Sequence, residues 1–362
     1  MKAYRNTLFF VFIALIVILF YHNREYIYPD ESKKTNADIY EKMNQDEISA
    51  VSSDGEAARM VCPSGEPVGI YVKTKGVMVV SVNEIDSPEG KQPSPCEGIL
   101  NPGDYIMRIN GQQVRDKAAM IKKIQESNGH EITMYVHRES NDFQFRVTPV
   151  MSKSGTYVIG VWVKDDIAGI GTITYTDGNR FAALGHSIND NDTGLTFCVS
   201  DGAIYKTTIV RIRKPQPHMP GRLEGVINYA DQFVIGRVEE NNTFGIRGYL
   251  TKKQQSLSAE EKVPIAKKED VHTGKAYLRS SLSGESQDYE IRIVTVDADN
   301  ENGKCMEIAV VDERLLSLTG GIVQGISGTP ILQDGKLIGA VTHVFVDDST
   351  RGYGIFIEEM MK

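Results

Sequence analysis

Gly325-Ile326-Ser327-Gly328-Thr329-Pro330 places a serine between glycines on a sharply turned backbone. Glycine reaches the dihedrals that such a turn needs and lets another backbone approach closely. The turn also frees the N–H groups of Gly325 and Ser327 to point at one spot. That spot is where the negative oxygen of a tetrahedral intermediate would form. On this reading Ser327 is a nucleophile and Gly325 and Ser327 form its oxyanion hole. The plainer alternative is a Gly/Ser/Pro turn between two strands.

A serine hydroxyl is a weak nucleophile at neutral pH and needs a base beside it. Histidine suits that task because its ordinary pKa lies near working pH. Of the seven histidines, His186 stands out. It ends the apolar run Phe181-Ala182-Ala183-Leu184-Gly185 and opens the polar loop Asn189-Asp190-Asn191-Asp192. Its rival, His343, lies in the alternating run Val341-Thr342-His343-Val344-Phe345-Val346 and reads as a strand residue.

The 362 residues suggest about two domains plus extensions. A composition 41% hydrophobic and 24% charged can build real cores. The net charge of −8 offers no general basic surface for a phosphate backbone, so no nucleic-acid partner is expected. Cys62, Cys96, Cys198 and Cys305 show no C-x-x-C spacing. Neither a metal site nor a disulfide framework is expected, and no cofactor is implied.

The first 27 residues read as a signal-anchor. Lys2 and Arg5 precede a nearly unbroken apolar run from Thr7 to Tyr21. At about 1.5 Å per residue the run falls short of a hydrocarbon core ~30 Å thick, and no small-x-small cleavage site follows it. Tyr21, Tyr26 and Tyr28 suit a membrane interface. Residues 28–60 are polar and charged and read as a flexible tether.

Residues 61–151 have a pattern of their own. Gly76–Val82 reads as a buried strand, Tyr105–Ile109 as a second, and Asn110-Gly111 as a tight hairpin signal. Asp116–Glu126 reads as a helix with Ala119, Met120, Ile121 and Ile124 on one side. Ile132–Val136 and Phe143–Val147 alternate as strands. This order, with Gly103-Asp104-Tyr105-Ile106-Met107-Arg108-Ile109-Asn110-Gly111, resembles a PDZ domain of the bacterial protease type, an α+β module. The resemblance implies a peptide groove used by strand addition. By position, Pro67-Val68-Gly69-Ile70 would form its carboxylate-binding loop.

Residues 152–362 are strand-rich. Alternating runs recur at Tyr157–Val163, Thr172–Tyr175, Ile204–Val210, Phe233–Val238, Phe244–Leu250 and Ile291–Val296, with hairpin signals at Asp177-Gly178 and Asp334-Gly335. The chain is therefore expected to be mainly β. The Gly-x-Ser-Gly-x-Pro loop resembles that of chymotrypsin-like serine peptidases. That resemblance implies two β-barrels, His186 on the first and Ser327 on the second.

Longer motifs make the resemblance more specific. Ala168-Gly169-Ile170-Gly171-Thr172, Ala183-Leu184-Gly185-His186, Asp312-Glu313-Arg314-Leu315-Leu316, Thr319 to Pro330 and Gly339 to Gly354 resemble the stage IV sporulation protein B peptidases. The resemblance implies a membrane-anchored, self-cleaving serine endopeptidase working between the forespore and mother-cell membranes. Its target there would be the regulatory subunit of an intramembrane metalloprotease complex, and cleavage would lead to late sigma-factor activation. Carried over residue by residue, Ser327 is the nucleophile, His186 the base and Asp312 the orienting carboxylate. Asp312 could instead cap a short helix, and Asp190, Asp192 and Asp201 lie nearer His186 in sequence. Two other functions stay open: an inactive PDZ adaptor and a general quality-control protease. Self-cleavage is expected in the exposed tether, around Asn36–Ala58.

Overall fold

The computed structural model describes residues 50–51, 57–251, 261–300 and 302–362. The expected anchor and nearly all of the expected tether lie outside the described residues. Among the described residues no helix is long and apolar enough to cross a membrane. Residues Ala58–Lys362 form one compact unit.

The spine of that unit is β1 (Pro67–Val82), a single strand of 16 residues. Its C-terminal part belongs to the PDZ-like segment. There Val77 and Met78 pair with β2 (Tyr105–Ile109). Asn110 and Gly111 both take positive φ, which closes the expected tight turn after β2. Helix α1 (Lys117–Glu126) follows, with Asp116 as N-cap accepting from the Ala119 N–H. Met120 and Ile124 are buried on its inner face, whereas Ile121 points to solvent. Strands β3 (Ile132–Arg138) and β4 (Asn141–Val147) complete the segment. Ile132, Met134 and Val136 alternate into its core beside Val77, Val79 and Ile106, as period-two patterning requires.

The N-terminal part of β1 belongs to a barrel. The other strands of that barrel are β5 (Val161–Asp177), β6 (Arg180–Ala183), β7 (Val199–Arg213), β9 (Val234–Asn242) and β10 (Gly245–Leu250). A hairpin strand, β8 (Arg222–Ile227), pairs with the outer part of β7. Hydrogen bonding runs β1-β7-β9-β10-β6-β5, and β5 pairs back onto β1, so the path closes into a ring. Val68, Ile70, Val72, Ile173, Phe181, Ile204 and Ile246 fill its interior. The second barrel is closed by β11 (Gly274–Ser280), β12 (Gln287–Val296), β13 (Met306–Val310), β14 (Pro330–Gln333), β15 (Lys336–Val344) and β16 (Arg351–Phe356). Between β13 and β14 lies helix α2 (Glu313–Thr319).

Two expectations change here. The boundary between residues 151 and 152 does not hold, because β1 and β5 both run through the PDZ-like segment and the first barrel. Val161–Lys164 of β5 pairs with Met78–Val82, and Asp166–Thr172 pairs with Pro67–Lys73. Nor is Pro67-Val68-Gly69-Ile70 a loop. It is an inner barrel strand with both edges paired, to Lys206–Ile204 on one side and to Thr172–Gly169 on the other. Val68 and Ile70 are buried in the barrel core. No edge is left there for a peptide.

The strand that lies along α1 is instead the Tyr157–Asp165 stretch. The Lys117 N–H and ammonium at the start of the helix both bind the Asp165 carboxylate. Near its end, the Gln125 side chain binds the N–H and C=O of Tyr157. Among the described residues, Val161–Lys164 pairs with β1 on one edge and with no strand on the other.

If Pro67–Ile70 is barrel core, Ile70→Ala should destabilise the protein by about 2–5 kcal/mol, the usual range for a buried Ile truncation. Chemical denaturation with an unchanged m-value measures this. A loss near zero would return the stretch to the surface.

Candidate active site

Ser327 sits in the loop that connects α2 to β14 of the second barrel. α2 ends at Gly320 in the left-handed conformation, and the chain then passes through Ile322 and Val323 into the core. Three bonds strap the loop to strand β5 of the first barrel. The Thr172 N–H donates to Ser327 O at 3.1 Å. The Thr172 hydroxyl donates to Gly325 O at 2.9 Å, and the Thr174 hydroxyl to Gly328 O at 2.7 Å. Both threonines are buried. On the other side, the Gly328 N–H donates to Val341 O of β15. Gly328 has a φ of +96°, and a Cβ there would lie 2.2 Å from Thr172 O and 2.4 Å from Leu184 N. Only glycine fits where the two barrels come this close.

His186 arrives from the first barrel on a strained turn. Leu184, a buried residue with φ +74°, and Gly185, φ +71°, precede it. A left-handed leucine costs roughly 1–2 kcal/mol. Packing holds it there: a Cβ on Gly171 would meet Leu184 Cδ2 at 2.3 Å, so Gly171 leaves the room. The Leu184 N–H donates to Thr172 O. The threonine that straps the serine loop thus also anchors the approach to His186.

The two functional side chains converge on β15. The Ser327 hydroxyl donates to Thr342 O at 2.8 Å. A Cβ on Gly185 would meet Thr342 Cγ2 at 3.0 Å. The His186 ring centroid lies 5.1 Å from that of His343, the residue after Thr342. His343 is a strand residue, paired with Tyr353. Thr342 is fixed by bonds from its own hydroxyl to Gly303 O and Tyr353 O.

His186 Nδ1 lies 2.9 Å from Ser187 O. A carbonyl only accepts, so Nδ1 carries the proton and Nε2 keeps its lone pair. That is the tautomer a general base needs. Burial lowers the His186 pKa, and the bond to Ser187 O only partly offsets this. His343 keeps one side open to solvent, yet loss of water around its ring, then the neighbouring His186 and Lys304, push it down to about 4. Both imidazoles are therefore neutral near pH 7. Among the described residues, neither the Gly325 nor the Ser327 N–H donates a backbone hydrogen bond. Both donors thus lack a backbone partner, one of the conditions for an oxyanion hole.

The structure does not bring Asp312 to His186. Asp312 caps α2: its carboxylate accepts from the Arg314 N–H, the Arg314 guanidinium and the Glu290 N–H. The Arg314 bonds come first among the forces that hold it far below the usual carboxylate range. Its link to the site is indirect, through the helix that feeds the Ser327 loop. The other carboxylates do not bond to His186 either. Asp190 is fully buried in the loop after His186 and pairs with Lys164. Burial alone would raise the Asp190 pKa, but Lys164 and the Thr193 N–H and hydroxyl outweigh it and lower it. Asp192 shares the same ammonium, and Asp201 is exposed on β7.

Sequence reasoning missed Asn241. Its side chain accepts from the Ile188 N–H and donates to Ile188 O and Phe197 O, which clamps the loop that follows His186. Its neighbours Glu239-Glu240 and Asn242 carry no pattern that marks it. Thr172 lay within a motif already singled out, but its chemistry was not read.

A groove of about 510 Å³ opens beside the serine loop, lined by Ala168–Ile170, Arg222–Gly225, Ile227, Gln324 and Gly325. An extended polypeptide laid there would pass Gly325. A turn about χ1 would release Ser327 Oγ from Thr342 O.

Two outcomes follow from this geometry. A base must be unprotonated to act, so the acid limb of kcat/KM should lie below the ordinary histidine value of about 6.5. A limb at or above that value contradicts the burial of His186. The same two histidines stay neutral in the fold while an unfolded chain protonates near pH 6.5. Their contribution to stability is thus present above about 6.5 and lost as pH falls toward the His343 value of about 4. Thermal melts of wild type and His343→Ala across that window measure it. Asp312→Asn keeps a good N-cap and loses the Arg314 pair. It should lower turnover by far less than the ~10⁴-fold that follows removal of a carboxylate bonded to the base. A loss of that size would put Asp312 at the imidazole.

Comparison with known proteins agrees with this chemistry. The PDZ domain of an SdrC-like protein from Listeria monocytogenes covers 25% of this chain and 90% of its own, at 24% identity and a TM-score of 0.22, a superposition too slight to speak to fold. Residues 155–361, more than half of the chain, match the family described as SpoIVB peptidase S55. That range contains His186, Asp312 and Ser327. The chain therefore belongs to the SpoIVB peptidase S55 family and is a serine peptidase.

Proposed function

We propose that this serine peptidase is membrane-anchored, cuts its own N-terminal region and acts in a sporulation signalling step. The observation that carries the catalytic part is the pair of unpaired N–H groups on the Ser327 loop, strapped next to the His186 turn. His186 Nε2 takes the proton as Ser327 Oγ attacks a peptide carbonyl, and the Gly325 and Ser327 N–H groups hold the oxyanion. Each such donor is worth roughly 10²- to 10³-fold in rate. The imidazolium then protonates the leaving amine, and water releases the acyl group. Asp312 serves as a positioning residue, through the helix it caps.

The apolar run from Thr7 to Tyr21, with Lys2 and Arg5 before it, supports a membrane anchor with the catalytic unit outside the cytoplasm. The family supports the regulatory subunit of an intramembrane metalloprotease as target and the space between the two membranes of a sporulating cell as location. A peptide would add to the edge of Val161–Lys164 beside α1, where the Pro67–Ile70 assignment fails. The Ser327 hydroxyl rests on Thr342 O rather than on His186, which favours a resting state over an adaptor that has lost its chemistry. Val161–Lys164 is well placed to relieve that state. Lys164 binds Asp190 and Asp192 in the loop that follows His186.

Purified wild-type protein should be cut within the Asn36–Ala58 stretch on incubation, whereas Ser327→Ala keeps an intact N-terminus. Mass spectrometry of the two N-termini decides it. Equal trimming of both would remove Ser327 from the reaction.

A further inference from the structure

The cation-rich wall next to the nucleophile loop has no part in the chemistry described so far. A pocket of about 400 Å³ is lined by Arg211, Arg213, Lys214, Arg222 and Gln324, with Met219 and Pro220 nearby. Arg222 and Gln324 also line the groove that ends at Gly325, so the two spaces adjoin. The β7–β8 hairpin builds the wall: Arg211 and Arg213 stand on β7, and Arg222 opposes Arg213 in register. A parallel bridge from Arg222 to Gln324 fixes that hairpin to the residue before Gly325.

The charge there is not balanced. Arg211, Arg213 and Arg222 all turn to one carboxylate, Glu224, at 3.9, 3.2 and 3.0 Å. The Lys214 ammonium has a backbone partner, Ser317 O. Four cations thus face one anion, in a chain whose net charge is −8. The Arg222 bonds, with the charges of Arg213, Arg222 and Arg211, outweigh burial and hold Glu224 below its ordinary range, so it stays ionised. Guanidinium groups present forked donors that match carboxylates.

We infer that this pocket is a specificity subsite for an acidic polypeptide, which it holds by its Asp and Glu side chains while the neighbouring residues lie along the groove to Gly325. The inference rests on the peptidase reading and names its substrate class. A lipid surface fits less well, because the pocket adjoins the groove of the serine loop. The stretch expected to be cut has the matching chemistry: Asn36–Ala58 carries Asp38, Glu41, Asp46, Glu47, Asp54 and Glu56 against Lys42.

The test is binding without chemistry. Full-length Ser327→Ala is titrated into a fluorescein-labelled synthetic peptide of the Asn36–Ala58 sequence, and into a copy with its six acids changed to the matching amides. Anisotropy at low salt should show the acidic peptide bound about tenfold tighter or more, with the advantage shrinking as salt rises. Adding Arg211→Gln and Arg213→Gln to the same protein should erase that advantage. Adding Arg213→Glu should turn preference toward a peptide with lysines in the six positions. Circular dichroism confirms that the variants fold. Equal binding of the two peptides, or an advantage that survives the arginine changes, overturns the inference. So does tighter, equally arginine-dependent binding to phosphatidylglycerol vesicles. Cleavage by the protein with Ser327 intact is scored separately. Its absence counts against the peptidase reading, while the binding comparison still decides the pocket.

Discussion

Thr172 holds the catalytic unit together. Its N–H and hydroxyl bind Ser327 O and Gly325 O of one barrel, and its carbonyl receives the Leu184 N–H, two residues before His186 of the other. One buried residue thereby sets the distance between the loop that carries the nucleophile and the turn that carries the base. Thr174 adds a second bond across the same seam. Buried hydrogen bonds are costly to leave unmade, about 1–3 kcal/mol for each orphaned group, so the barrels cannot slide without losing several at once. The tight approach at Gly328 makes the same point in steric terms.

The loops that carry Ser327 and His186 were legible because their turns are written in residue type. A serine between glycines and a histidine after an apolar strand are local patterns, and the structure places both where they converge on Thr342. The turns at Asn110-Gly111, Gly178 and Asp334-Gly335 were legible for the same reason: positive φ is written in residue type. The sharing of β1 between two cores was not. On its β5 and β7 edges Pro67–Val82 pairs with residues roughly eighty to one hundred and forty positions away, and alternation says that a strand exists without saying what lies beside it. Asp312 shows a different limit. Asp-Glu-Arg-Leu-Leu is equally good as a helix cap and as the approach to a catalytic carboxylate. Only the bonds to Arg314 and Glu290 separate the two.

A base oriented by a main-chain carbonyl has a consequence for catalysis. Ser187 O fixes the tautomer of His186 but brings no negative charge to stabilise the imidazolium, and burial further disfavours it. The resting hydroxyl of Ser327 is also turned away, onto Thr342 O. Both features fit the resting state proposed above. The loop that follows His186 is tied through Asp190 and Lys164 to the strand that runs past α1. That strand and the loop after His186 are therefore joined by an ion pair.

The most direct measurement is a crystal structure of the purified protein after reaction with a fluorophosphonate. The account predicts phosphorus bonded to Ser327 Oγ, its oxygen within hydrogen-bond distance of the Gly325 and Ser327 N–H groups, and His186 Nε2 facing the adduct. An unmodified Ser327 still bound to Thr342 O, with His186 turned elsewhere, would contradict it.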